Sequence, residues 1–285
     1  MLINMKSGTK SSKNNLLDAI DVFCKYGYTV TTYITQKAND AYEYLLNNQI
    51  EYDIVCVFGG DGTMNEVSNA LMRKEYKPKI GYFPSGTMND FGSNFNLGSD
   101  FNAIAERICN GKENSYDVGL CNDQYFNYVA AFGAMCDVPY STDRNAKEML
   151  GIIAYILEGI NKLGEIKKVG LKYRIDDKDY ESDVLFGLVF SGNRVSGIEL
   201  DIEENMAIDD GLFTVVIVDY IAGLFDAPDL LALLLESDKH IHVYRTNNIC
   251  LNFDEEVPFT LDGEKAEING TADIKLIPAP LKLIA

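Results

Sequence analysis

The chain has 285 residues, of which 47% are hydrophobic and 24% charged; this length suggests two globular domains, and the mixture excludes a disordered or fibrous chain. The net charge of −18 is unevenly placed: residues 1–112 hold 11 basic and 12 acidic side chains, residues 113–285 hold 14 and 31. So acidic a second half excludes nucleic acid as a partner, because phosphate contacts need a basic surface, and it argues against strong attraction to anionic lipid.

In chain order, the first half alternates strand and helix. Leu2–Asn4 is a short apolar start. Leu16, Leu17, Ile20, Phe23 and Cys24 then recur at helical steps, with Gly27 where a C-cap would stand. Tyr28–Ile34, β-branched and aromatic, reads as a strand, and Ala38–Asn48 as a helix. Asp53–Phe58 is almost wholly apolar, as in a strand buried on both faces. Gly59–Thr63 breaks it before a helix over Met64–Arg73, and Ile80–Phe83 is a further strand ending at Pro84-Ser85-Gly86. This alternation predicts a parallel sheet covered by helices, with ligands beyond the carboxyl ends of the strands.

From about Tyr116 the rhythm becomes strand after strand: 125–135, 169–175, 183–191, 212–219, 239–246, 248–253, 257–262 and 265–277. Helices are expected only near Ala146–Leu163 and Pro228–Glu236. The pattern predicts a β-sandwich. The expected domains are therefore residues 1–115 (α/β) and 116–277 (β-sandwich), with 278–285 packing back on the first. The six cysteines form no C-x-x-C pair, which fits a reduced, cytoplasmic protein without a zinc site or disulfides. Met1–Leu16 lacks the apolar core of a signal peptide, and no apolar run is long enough to span a membrane.

Two loops carry the chemistry. Gly59-Gly60-Asp61-Gly62-Thr63-Met64-Asn65-Glu66 follows a buried strand and opens a helix. Glycines let the backbone approach a phosphate, a helix start offers free N–H groups, and Asp61 supplies a carboxylate for Mg2+. The same octapeptide also reads as a tight turn with a capping Asp or Thr. One strand later, Pro84-Ser85-Gly86-Thr87-Met88-Asn89-Asp90-Phe91 repeats the arrangement, with Thr87 or Asn89 as candidate cap. Neither loop is a Walker A or a G-x-G-x-x-G sequence. Asp262-Gly263 reads as a two-residue hairpin turn and Asp209-Asp210-Gly211 as a solvated one. His240 and His242 read as an exposed strand pair rather than a metal site. Ile221–Phe225 with Leu230–Leu235 reads as a buried helix plus loop, or else as a lipid-facing patch.

Taken together, G-G-D-G-T-M-N-E-V at 59–67 and P-S-G-T-M-N-D-F at 84–91 resemble the catalytic domain shared by diacylglycerol, sphingosine and ceramide kinases. Asn193–Gly211, Leu261-Asp262-Gly263-Glu264 and Asn4 with Ser7-Gly8 resemble further segments of that family, so the resemblance spans essentially the whole chain. It implies a Rossmann-like α/β domain, related to NAD kinases and phosphofructokinases, and a C-terminal β-sandwich, with an ATP cleft between them. It implies ATP and Mg2+ as cofactors. It assigns nucleotide contacts to Asn4, Ser7, Gly8, Thr35, Gly59, Gly60, Asp61, Gly62, Thr63, Met64, Asn65, Glu66, Gly86, Thr87 and Asp90. By the same resemblance Asp61 lies beside the catalytic Mg2+, Asp117 matches another acidic position, and Glu264 is the general base. Asp210, with the carbonyls of Ala207 and Leu212, matches a second, structural Mg2+ site.

The reaction implied is transfer of the γ-phosphoryl of ATP to a lipid hydroxyl, at peripheral contact with the inner face of the cytoplasmic membrane. A homodimer through the β domain is implied by resemblance alone. The alternatives are a kinase for a small soluble acceptor and a non-catalytic nucleotide-binding regulator. The chain departs from the family pattern at Met5, where a proline is usual, and at Gly92-Ser93, where a basic residue is common. After Gly197 it lacks a second glycine and a proline before Ala207.

Overall fold

The computed structural model describes residues 1–7, 10–134, 168–195, 198–199, 206–221 and 238–285. The helices expected at Ala146–Leu163 and Pro228–Glu236 lie outside them, as does most of the apolar 221–235 segment. The chain divides into one unit of Met1–Val118 with Pro278–Ala285 and another of Gly119–Ile277.

The first unit runs β1 (Leu2–Ile3), α1 (Lys10–Lys25), β2 (Tyr33–Ile34), α2 (Asp40–Asn47), β3 (Ile54–Gly59), α3 (Asp61–Met72), β4 (Lys79–Pro84), α4 (Asp90–Asn94), α5 (Phe101–Asn110) and most of β5 (Glu113–Cys121). Its sheet is parallel, in the order β2-β1-β3-β4, and is completed by the last residues of the chain, Leu283 and Ile284, beside Ile80 and Gly81. The register aligns Ile3 with Phe58, and Phe58 with Phe83. Asn4, Gly60 and Ser85 therefore all follow at one edge. β3 is nearly all apolar because helices cover both faces of the sheet. Cys56, Phe58 and Phe83 pack with Leu16, Ala19 and Phe23 of α1 and Phe101, Ile104 and Ile108 of α5. Within the predicted stripe of α1, Leu17 and Cys24 turn outward and Ala19 takes the buried place. Gly27 closes the helix at φ +83°, its N–H donating to Cys24 and that of Tyr28 to Phe23. The strand expected over Tyr28–Ile34 shrinks to two residues, because β1, its partner among the described residues, is itself two residues long. At the chain's return, Glu113 joins Lys79 at 2.6 Å and Lys282 at 2.8 Å, and these bonds pull its carboxyl down to about 2.

The second unit continues with β6 (Gln124–Phe126), β7 (Val129–Gly133), β8 (Val169–Ile175), β9 (Lys178–Phe190), β10 (Arg194–Val195), β11 (Ile198–Glu199), β12 (Phe213–Asp219), β13 (Ile241–Thr246), β14 (Asn248–Phe253), β15 (Phe259–Leu261), β16 (Glu264–Lys265) and β17 (Thr271–Ile284), whose tail passes to the first unit. Its ladders are antiparallel. The long β9 pairs through its first half with β8, and through its second half with β7 and β12. β8 shows the period of two expected of a strand with one buried face: Val169, Leu171, Tyr173 and Ile175 are inside, while Lys172 and Arg174 face out. Those inner residues join Phe132, Val215, Ile249, Leu251, Phe259 and Ile274 in one core. The fold is thus a parallel α/β unit plus a β-sandwich. The strand expected over 125–135 is broken at Asn127-Tyr128, for a reason given below. Among the described residues no helix is long and apolar enough to cross a membrane.

Candidate functional site

The two glycine loops meet at the carboxyl edge of the parallel sheet. The N–H of Ser85 donates to the carbonyl of Gly59 (2.9 Å), that of Asn4 to Phe58 (2.9 Å) and that of Thr35 to Ile3 (2.9 Å). Each loop thereby leaves its strand still tied to its neighbour. Asn4 Nδ2 donates to Thr63 Oγ1 at 2.9 Å, and the hydroxyls of Ser7 and Ser85 stand 3.1 Å apart. Asn4, Ser7, Thr35, Thr63 and Gly86, separate in sequence, are therefore neighbours along this edge. Gly8 lies outside the described residues.

Glycine is required where the loops cross. A Cβ on Gly86 would lie 2.7 Å from the Cα of Gly60, and one on Gly59 would lie 2.5 Å from the side chain of Thr63. The two backbones pass so closely that no side chain fits between them at Gly60 and Gly86. The N-terminus of α3 opens at this crossing, with Gly60 at the N-cap in an extended conformation. A phosphate-bearing ligand suits such a place.

Asp61 and Glu66 turn out to have structural duties as well. The carboxylate of Asp61 accepts the N–H groups of Asp90 (3.1 Å) and Phe91 (3.2 Å), and so caps α4. The cap was expected from Thr87 or Asn89. Asn89 instead sits at φ +55° and closes the loop on itself: its Oδ1 accepts the N–H of Gly86 (2.8 Å) and its Nδ2 donates to the Gly86 carbonyl (2.9 Å). Thr87 is left exposed. Under this turn, the Tyr82 ring packs on Phe91 at 5.9 Å between centroids, and its buried hydroxyl has no hydrogen-bond partner among the described residues. Burial, then the charges of Asp61 and Asp90, push that phenol well above its usual range. Asp90 is buried too, at 2% exposure. An orphaned O–H beside two carboxylates is a place for water or for a hydrated cation, and the residues present fit Mg2+ there. Asp117, equally buried, accepts the N–H of Ala279 at 2.9 Å.

Glu66, expected at the nucleotide, sends its carboxylate to the N–H groups of Asn39 (2.9 Å) and Ala41 (3.0 Å) at the start of α2. Asn39, the N-cap residue, is left-handed and makes no side-chain cap, so a carboxylate from the next helix takes over that duty. Burial raises the carboxyl of Glu66. Glu66→Ala is expected to cost about 1 kcal/mol of stability through loss of this cap, read by denaturant unfolding, with nucleotide affinity little changed. Met64 offers a ligand nothing: its side chain is fully buried and its N–H closes the first turn on Gly60. Asn65, one turn before Asn69, accepts from its Nδ2.

In the second unit, Leu261 pairs with Glu264 across a two-residue turn, with Asp262 at φ +50° and Gly263 at φ +83°. Glu264 stands exposed beside that turn. Asp262, expected in the turn, is 5% exposed, and its carboxylate accepts four donors. These are the N–H (2.7 Å) and Nδ2 (3.1 Å) of Asn127, and the N–H groups of Tyr128 (3.0 Å) and Val129 (3.1 Å). This is what breaks the ladder at 127–128. The only signal for it in the sequence is an acid directly before a glycine in a two-residue turn, and that pattern is common.

Asp210 does not stand as an open cation ligand. Its carboxylate accepts the N–H groups of Ala207 (3.0 Å) and Leu212 (2.9 Å) and pairs with Arg245 at 2.6 Å. His242 is no free surface histidine either, since its Nε2 lies 2.9 Å from Asp219 Oδ2, with His240 3.9 Å from the same oxygen. Among the described residues no group of three or more acidic, histidine or cysteine side chains is arranged to hold a metal.

A family model described as diacylglycerol kinase catalytic domain matches residues 1–121. A diacylglycerol kinase of Staphylococcus epidermidis is 32% identical over 269 residues, covering 93% of this chain and 84% of its own length. One of Staphylococcus saprophyticus is 31% identical, covering 93% and 88%. The crystal structure of a putative diacylglycerol kinase from Bacillus anthracis superposes with a TM-score of 0.80 at 23% identity, over 99% of this chain and 95% of that one. An NAD kinase from Archaeoglobus fulgidus in complex with ATP shares the fold more distantly, with a TM-score of 0.56 at 12% identity, over 100% of this chain and 92% of that one. The crossed glycine loops with Asp61 at their centre, and sequence identity sustained over nearly the whole length, converge: this chain belongs to the diacylglycerol kinase family, lipid kinases that transfer phosphate to an alcohol group.

Proposed function

We propose that the chain transfers the γ-phosphoryl group of ATP, with Mg2+, to a hydroxyl of a lipid such as diacylglycerol at the inner face of the cytoplasmic membrane. The observation that carries this reading is the contact of Gly60 with Gly86, which brings two loops and a helix N-terminus to one place. Phosphoryl transfer asks for positioning and charge neutralisation more than for covalent help. In this reading the main chain at 59–63 and 86–87 holds the phosphates. Asn4, Ser7 and Thr63 hold the loops. Asp61, with Asp90, would hold the Mg2+ that neutralises charge on the phosphates. Glu264 takes the proton from the acceptor hydroxyl, a role suited to an exposed carboxylate held on a rigid hairpin.

The test is ADP release with Mg-ATP over micelle-dispersed lipid alcohols. Glu264→Gln is expected to lower turnover on the preferred lipid by about 10²–10⁴-fold. Its melting temperature should stay native, because the side chain is exposed. Turnover retained in Glu264→Gln removes the base from the scheme. Phosphorylation of NAD rather than of any lipid replaces the acceptor.

A further inference from the structure

The acidic turn before β12 is where the family resemblance expects a structural Mg2+, with Asp210 as its side-chain ligand. The donors around Asp210 argue otherwise. Oδ2 accepts the N–H of Ala207 at 3.0 Å and Arg245 Nη2 at 2.6 Å, and Oδ1 accepts the N–H of Leu212 at 2.9 Å. A carboxylate oxygen has two favourable acceptor directions, so Oδ2 is filled. The guanidinium is held from its other side too, since Arg245 Nη1 donates to Thr214 Oγ1 at 2.8 Å. The ladder makes this pairing obligatory, because Arg245 of β13 stands directly across from Thr214 of β12, four residues after Asp210. Both charged side chains are mostly buried, at 19% exposure for Arg245 and 18% for Asp210. A paired, hydrogen-bonded ion pair in that setting is neutral as a unit. A divalent cation brought to the same carboxylate would meet a fixed positive charge on one oxygen. On the other oxygen the N–H of Leu212 already takes one of the two acceptor directions, so a single direction is left for a metal.

We infer that Arg245 serves as the built-in counter-cation of Asp210, and that the β-sandwich unit is held at this turn by a guanidinium instead of a divalent metal. The counter-charge is thus supplied by the sequence, and the turn stays closed whatever the supply of Mg2+. Among the described residues, any Mg2+ requirement then belongs to the phosphate-binding edge.

The experiment is thermal unfolding of the full chain, without nucleotide, in millimolar Mg2+, Mn2+ or Ca2+ and in chelator. The Asp61→Asn variant is run beside the native protein to remove the other candidate cation site. The expected result is one melting temperature for Asp61→Asn under all four conditions. A rise with metal that survives in Asp61→Asn, but is lost when Asp210→Asn is added, would overturn the inference. Arg245→Met, which leaves Asp210 without its counter-charge, is expected to melt about 5–10 °C lower and to regain part of that loss in Mg2+. Arg245→Lys should fall in between, since it keeps the charge but not the forked bond to Asp210 and Thr214. Native stability in Arg245→Met also counts against the inference. If that variant fails to fold, the metal series on Asp61→Asn still decides.

Discussion

Asp61→Ala is expected to lower phosphoryl transfer by about a thousandfold or more and, separately, to lower stability by about 1 kcal/mol. The two losses have different origins. The carboxylate caps α4 through the N–H groups of Asp90 and Phe91, and in the proposed reaction it also helps hold Mg2+ at the phosphates. Asp61→Asn tells the roles apart, because asparagine keeps one of the two oxygens that accept these N–H groups but carries no charge. Recovery of about half of the stability lost in Asp61→Ala, with turnover still lost, is the expected outcome, measured as denaturant midpoint and ADP release on the same preparations. Should Asp61→Asn keep native turnover, Asp61 would be a helix cap and nothing more.

The largest stability effect is expected at Asp262. Asp262→Ala removes a buried acceptor of four hydrogen bonds and leaves three consecutive backbone N–H groups, at 127–129, without it. Stranding buried donors costs more than the net worth of the bonds, so a loss of about 3–5 kcal/mol, or roughly 10 °C in melting temperature, is expected. Asp262→Asn keeps one carbonyl oxygen and tolerates the left-handed backbone, and should recover about half of it. The contrast with Glu264→Gln, two residues away, is the informative part. The exposed residue should change activity alone, while the buried one should change stability and, through the hairpin, the placing of Glu264. A midpoint for Asp262→Ala within about 2 °C of native would mean that water replaces the carboxylate.

Much of this was written in the sequence. The near-continuous apolar run Asp53–Phe58 reads as a strand covered on both faces, and β3 is that strand; the helical steps of Leu16, Leu17, Ile20, Phe23 and Cys24 read as one stripe, of which Leu16, Ile20 and Phe23 pack inward while Leu17 and Cys24 face out. Turn chemistry likewise placed Gly27 and Asp262-Gly263. These features are local, so their physics is complete within a few residues of chain. The partners of carboxylates are not local. Glu66 caps a helix 25 residues upstream, Asp61 a helix 29 residues downstream, Asp262 a strand 135 residues away, and Asp210 meets an arginine 35 residues on. In one dimension each of these is an acid in or near a glycine turn, equally ready to bind metal, to cap or to face water. Only strand register and helix packing bring a particular donor to about 3 Å, and a hydrogen bond has no strength until that distance is set. The sequence alone therefore determined the elements and their family, whereas the tertiary structure decided which acids are structural and which remain for chemistry.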